Sequence, residues 1–348
     1  MSDRSQATST SDSPAATATV ASPARLLEVT DLAIEFPRHG GAWTRVVDGV
    51  SFSLDRGEAL GFVGESGSGK TMSARALLGL VPRPGRVRGS IKLFGRELVG
   101  LSDRQWSRIR SDQIGMVFQD AMSGLNPVRT IGSVLMEVAR RGHGLDRKQA
   151  RERAIEVLDS VGIPDPRERL KVYPHQLSGG LRQRVMIALA IINEPAVIVA
   201  DEPTTALDAT IQAQIMERLR ALLGDRALLM ITHDLGVAAS ICDRMQVIYA
   251  GRLAEVGTAR DVLLDPRHPY TAGLIRAVPR FDRDRAPLVP IPGLPPAPGS
   301  VGERCAFADR CVNVSDRCRE ELPRITTVDG RRVACFHPGG GSTRTEER

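Results

Sequence analysis

The sequence is poor in aromatic residues: phenylalanine, tryptophan and tyrosine make up 4% of its 348 residues. Its core must therefore rest on Leu, Val, Ile and Ala. Long apolar runs are missing too. The longest, Val185 to Ile192, falls far short of the ~20 residues that span a bilayer. No apolar block opens the chain, so no secretory leader is expected and the expected compartment is the cytosol. Structural disulfides are rare in that compartment. Cysteine is scarce before residue 305, where Cys242 stands alone. A strong charge bias is absent: 47 Lys and Arg against 41 Asp and Glu leave +6, spread along the chain. Such a spread carries little weight as a footprint for nucleic acid or lipid. What remains, 42% hydrophobic and 25% charged residues, describes a globular protein. The length suits two domains, or one large domain with an appendage.

One stretch organises the rest. Gly64-Glu65-Ser66-Gly67-Ser68-Gly69-Lys70-Thr71 matches the phosphate-binding pattern G-x-x-x-x-G-K-[ST]. A strand-forming run, Ala59 to Val63, precedes it and a helical segment, Met72 to Leu80, follows. Glycines let backbone N–H groups turn inward around phosphate oxygens, and a helix N-terminus adds partial positive charge. Lys70 is placed to reach the β- and γ-phosphates, and Thr71 to put its hydroxyl on Mg²⁺. A plain Gly/Ser turn would rarely place Lys-Thr directly after its last glycine.

In chain order, residues 1–25 form a Ser/Thr/Ala/Pro-rich tail expected to be disordered. Strands are expected at Leu26–Phe36, Val46–Leu54 and Ala59–Val63, together an antiparallel portion beside the phosphate loop, and at Gly89–Gly95. Ile114–Phe118 is a short apolar run that stops at Gln119. Ile131 to Gly162 is helical in pattern, with Asp146 as an N-cap; it marks a helical insertion, about 120–193. Leu177-Ser178-Gly179-Gly180 opens another helix. Ala196–Ala200 is apolar throughout, as a strand buried on both faces would be, and ends in Asp201-Glu202. A helix, a strand to Ile231, His233-Asp234, a short helix and two closing strands complete an α/β alternation. Past 260 the texture changes. Six prolines crowd 287–298, four cysteines follow, and 339–348 again look disordered.

Asp201 suits a Mg²⁺ partner, and Glu202 can orient or deprotonate an attacking water. Alone, an acidic pair at a strand end means little; downstream of a phosphate loop it means more.

These marks together resemble the nucleotide-binding subunit of an ABC transporter, over residues 26–260. They are the loop 64–71, Gln119, the signature Leu177-Ser178-Gly179-Gly180-Leu181-Arg182-Gln183, Asp201-Glu202, Ala206-Leu207-Asp208 and His233. Leu181 is a mild departure from the usual Gln or Met. The resemblance implies a mixed α/β sheet with an antiparallel portion and a helical subdomain. It implies two such domains head to tail with two ATPs between them. Gly64, Ser66, Gly67, Ser68, Gly69, Lys70 and Thr71 would hold ATP. Thr71, Gln119 and Asp201 would serve Mg²⁺, and Glu202, His233 and Gln119 catalysis. Ser178, Gly179 and Gly180 would contact the γ-phosphate held by the other domain, and Asp208 would couple the two sites. Phe36 or Trp43 would stack on adenine.

Arg267-His268-Pro269-Tyr270-Thr271 narrows the resemblance to the oligopeptide/dipeptide importer branch. The residues 201–215 and 185–188 resemble the "D" member of the paired ATPases there. Its implied partners are an F-type ATPase, two membrane permeases and an extracytoplasmic solute-binding protein, at the cytoplasmic face of the membrane. No nucleic acid is expected. Nickel, glutathione and antimicrobial-peptide systems share the branch. Soluble ABC ATPases acting on DNA or ribosomes differ by long coiled coils or by two cassettes in one chain.

Cys305, Cys311, Cys318 and Cys335 do not have zinc-finger or standard ferredoxin spacing. Four thiols in one short segment still suggest a metal. The resemblance implies a C-terminal extension, 261–338, in which some members hold a [4Fe–4S] cluster. Zinc and four reduced thiols remain the alternatives. Replacing Cys311 is expected to loosen 300–338 and to leave ATP affinity intact. Cys242, on an apolar helix face, reads as core.

Overall fold

In the computed structural model, residues 25–38, 40–120, 124–205, 207–278 and 289–339 are described. Apart from Arg25 and Gly339, the expected disordered tails lie outside them, as do Ala206, Pro287 and Ser123.

Two sheets carry the fold. The smaller is antiparallel: β1 (Leu27–Pro37), β2 (Trp43–Leu54), β4 (Arg86–Leu93) and β5 (Arg96–Glu97), in the order β2-β1-β4-β5. The larger has eight strands. Five of them are parallel neighbours: β9 (Arg244–Tyr249), β3 (Ala59–Val63), β8 (Ala227–Thr232), β7 (Val197–Asp201) and β6 (Ile114–Val117). Beyond β9 the sheet continues antiparallel through β10 (Arg252–Thr258), β12 (Arg331–Val333) and β11 (Thr326–Val328).

The sequence groups Ala59–Val63 with the antiparallel portion. The structure places it at the centre of the larger sheet, between β8 and β9. The reason is burial on both faces. Ala59 and Val63 join one apolar cluster, and Leu60 and Phe62 join the other. β7 divides the same way, with Ile198 and Ala200 on one side and Val197 and Val199 on the other. A strand with two covered faces shows no polar alternation, which suits a parallel sheet interior.

Between β6 and β7 lie helices Ile131–His143, Arg147–Ser160, Pro166–Arg169 and Gly179–Ile191. The helical stretch expected from Ile131 to Gly162, with Asp146 as an N-cap, is two helices. Gly144 ends the first at φ 64°, a left-handed conformation that costs glycine no Cβ clash. Asp146 then starts the second, accepting from the amides of Lys148 and Gln149 at 2.8 Å each.

The C-terminal residues do not stand apart from this core. Glu255 and Val256 of β10 pair with β12. Tyr270, Phe307 and Cys318 belong to the apolar cluster that also contains Tyr249 and Ala254. Cys242 is buried against Gly61 and its thiol is pushed up to about 12 by burial, as a core residue's would be.

Candidate active site

Strand β3 delivers the phosphate-binding loop, and helix α1 (Lys70–Leu77) leaves it. Gly64 has φ 150°, and a Cβ there would lie 2.2 Å from the Ile248 carbonyl oxygen of β9. No other residue can make that approach. Ser66 and Gly67 are exposed, while Ser68 and Lys70 are buried. The loop curls around the Lys70 ammonium, which donates to the carbonyls of Gly64 and Glu65 at 2.8 Å and to Ser68 Oγ at 3.2 Å. Burial pushes the Lys70 pKa down to about 8, against the pull of Glu202, Asp201 and Glu65.

Thr71, one residue on, donates through Oγ1 to Asp201 Oδ1 at 3.1 Å. Asp201 ends β7 and is 3% exposed. Burial raises its pKa, opposed by the Thr71 hydrogen bond. The two oxygen side chains form a hard donor pair of the kind Mg²⁺ takes.

Three side chains meet on the next residue, Glu202. Gln119 Nε2 donates to Oε2 at 3.0 Å, Thr205 Oγ1 donates to the same oxygen at 3.0 Å, and His233 Nδ1 lies 3.1 Å from Oε1. Four elements explain the convergence. Gln119 follows β6; Glu202 follows β7 with φ 47° and its amide on Ile231 of β8; His233 follows β8. Asp234 then caps the helix Leu235–Ile241, which fixes the turn that carries His233. Parallel strands end together, so their C-terminal residues gather at one edge. Thr205 is the member that the sequence reading did not name. Its place between Glu202 and Asp208 was the available signal.

The signature residues are held separately. Ser178 caps the helix Gly179–Ile191 and accepts from Leu181 N at 3.4 Å. Ser178 and Gly179 are exposed. A Cβ on Gly180 would lie 2.9 Å from Ile211 Cγ2. Asp208 caps the helix that carries Ile211, accepting from its amide at 2.9 Å. Trp43 has one ring face under the Arg86 guanidinium, 3.6 Å from the centroid, and Phe36 packs against Gly85.

The C-terminal segment touches the phosphate loop directly. The Glu65 amide donates to Tyr270 Oη at 2.8 Å, and the Glu65 carboxylate receives both terminal nitrogens of Arg310. Cys311, next to Arg310, therefore lies one residue from a side chain that grips the phosphate loop. Nothing in the sequence announces a pair 245 positions apart.

Around the four cysteines, the amides of Asn313 and His337 donate to Cys311 and Cys335 Sγ at 3.4 and 3.3 Å. Cys305 receives backbone hydrogen bonds from Phe307 and Ala308, and its amide donates to the Cys318 carbonyl at 3.1 Å. Among the described residues, no three His, Cys, Asp or Glu side chains converge so as to hold a metal ion. No helix among them is long and apolar enough to cross a membrane.

Comparison with known proteins agrees with this geometry. The ABC transporter family matches residues 47–205, and the oligopeptide/dipeptide transporter C-terminal region matches 254–318. The chain is 48% identical over 315 residues to the oligopeptide transport ATP-binding protein OppD of Salmonella typhimurium, covering 90% of this chain and 94% of that one. It is 45% identical over 318 residues to the dipeptide transport ATP-binding protein DppD of Bacillus subtilis, with 90% and 94% covered. Among solved structures, a dimeric post-hydrolysis state of the ATP-binding cassette MJ0796 bound to ADP and Pi aligns with a TM-score of 0.61 at 27% identity. That alignment covers 67% of this chain and 99% of the cassette. The chain belongs to the ATP-binding proteins of the oligopeptide/dipeptide branch of ABC transporters.

Proposed function

We propose that this chain hydrolyses ATP to drive a peptide importer, docked on membrane permease subunits at the cytoplasmic face and fed by a solute-binding protein. The observation that carries the proposal is the convergence of Gln119, Thr205 and His233 on Glu202, beside the Thr71–Asp201 pair and the phosphate loop.

Residues 26–260 form the nucleotide-binding part, with a helical portion at about 120–193, and 261–338 form the extension. Backbone N–H groups from Ser66 to Thr71 cradle the phosphates, and Lys70 gives up a loop carbonyl to meet a phosphate oxygen. Thr71, Asp201 and Gln119 hold Mg²⁺, which when bound neutralises phosphate charge. Glu202 takes the proton of the attacking water. Its two oxygens are already ordered by neighbours, so little motion is needed to aim it. His233 contacts the γ-phosphate. Ser178, Gly179 and Gly180 present a helix N-terminus, with bare N–H groups, to ATP held on a second cassette. That second cassette is a different, F-type chain.

The four cysteines hold a [4Fe–4S] cluster of structural role. The donor chemistry supports this: thiolates are iron–sulfur ligands, and amides already point at the sulfurs.

Co-expression with the permeases, the second ATPase and the solute-binding protein, followed by reconstitution in vesicles, tests the function. Peptide should raise ATP hydrolysis and accumulate inside. A complex that hydrolyses ATP but responds to no peptide would remove the peptide assignment.

A further inference from the structure

We propose that Arg310, carried by the cysteine-bearing segment, is a positioning residue of the phosphate-binding loop: it neutralises and orients Glu65 and thereby sets ATP affinity. The inference rests on the nucleotide-binding function proposed above.

Glu65 is the second residue of the loop, and an unpaired carboxylate there would repel a triphosphate. One guanidinium takes both of its oxygens, Nη1 to Oε2 at 2.6 Å and Nη2 to Oε1 at 3.0 Å. Such a forked pair fixes plane and distance together, which a lysine cannot do. Arg310 has little freedom of its own. Its side chain is 5% exposed. Its Nε donates to the Pro292 carbonyl at 2.8 Å, and Nη1 also donates to Tyr249 Oη at 3.2 Å.

The Glu65 main chain is fixed as well. Its amide donates to Tyr270, which is fully buried, and its carbonyl accepts from Lys70. Tyr270 stacks at a tilt on Tyr249, 4.5 Å between centroids, and Phe307 packs on both. One residue of the loop is thus held at its N–H, its C=O and its side chain, and two of those three holds come from beyond residue 260. A loop that binds phosphate through backbone N–H groups gains affinity from being held in place before ligand arrives. The C-terminal segment therefore acts on the ATP site of its own chain.

The test titrates full-length wild type, Lys70→Ala, Arg310→Met, Arg310→Lys and the double variant Arg310→Met/Glu65→Gln with a fluorescent ATP analogue and Mg²⁺. Both Kd and stoichiometry are read. A variant that only loosens the fold lowers stoichiometry; lost positioning raises Kd. Absence of wild-type binding overturns the nucleotide reading, and this proposal with it. Given wild-type binding that Lys70→Ala removes, Arg310→Met should raise Kd about tenfold, with Arg310→Lys in between. The double variant should regain most of the loss, because the repelling charge has gone. In hydrolysis the loss should fall on KM more than on kcat. A Kd for Arg310→Met within twofold of wild type overturns the proposal. So does a double variant as weak as Arg310→Met. If Arg310→Met does not fold, Arg310→Lys decides: a threefold rise supports the role and an unchanged Kd rejects it.

Discussion

Gln119 Nε2 donates to Glu202 Oε2 at 3.0 Å, joining the ends of two neighbouring parallel strands across the site. The same carboxylate meets His233 at its other oxygen. A group held on both oxygens is aimed, and its chemical task can be separated from its shape.

Glu202→Gln should therefore bind ATP with wild-type affinity and lose turnover by about 10²–10⁴-fold, the usual worth of a positioned base. The amide keeps the size but accepts no proton. ATP should trap a closed dimer with the second ATPase. Phosphate release and size-exclusion chromatography check both; near-normal turnover would rule Glu202 out as the base.

Thr205→Val removes one hydrogen bond to Glu202 while keeping the branched shape. A net loss of about 1 kcal/mol corresponds to roughly fivefold slower hydrolysis. ATP affinity should not move. An equal fall in affinity and turnover would place Thr205 on the nucleotide instead.

The buried Lys70 ammonium predicts a pH effect of definite sign. Its pKa is pushed down to about 8 by burial, from an ordinary 10.5. Between those values the unfolded chain binds more protons, so this group makes the folded protein more stable as pH rises. ATP binding acts in the opposite direction, because phosphate favours the charged form. Affinity should be level below pH 8 and fall above it, by at most tenfold per unit. Calorimetry in buffers of different ionisation heat should show proton uptake near pH 9. Level affinity from pH 7.5 to 9.5 would show that Lys70 stays charged in the free protein across that range, against the depressed pKa.

How much of this was legible in the sequence depends on the range of each interaction. The loop 64–71 with its flanking strand and helix is local, and the structure has it following β3 and running into α1, as the sequence puts it. The placement of β3 was not legible, because a strand covered on both faces gives no pattern that names its neighbours. Helix α2 (Asp103–Asp112) was missed because only Trp106 and Ile109 are buried in a charged segment. Its capping box, Ser102 with Gln105, was the one available signal. The Arg310–Glu65 pair joins distant residues whose types are common on any surface. Only the docking of the C-terminal segment on β10 brings them together.

The cysteine segment carries the last prediction. Burial pushes the Cys311 and Cys335 thiols up, with the amides of Asn313 and His337 only partly opposing it, so ligation to iron would have to supply the ionised forms. Anaerobic purification should give iron and acid-labile sulfide in stoichiometric amounts, with an absorbance that bleaches on reduction. Zinc at one per chain, or no metal in a correctly assembled complex, would refute the cluster. Cys311→Ser should lower iron content and raise proteolysis between 300 and 338. Because Cys311 follows Arg310, and Arg310 grips Glu65, the damage should spread to the phosphate loop. ATP affinity should fall in the same preparations that lose iron. Wild-type protein stripped of iron by a chelator should show the same fall, without any change of sequence. Stripped protein that binds ATP as tightly as the loaded form would show that Arg310 keeps its place without the metal, and that the cluster serves assembly alone.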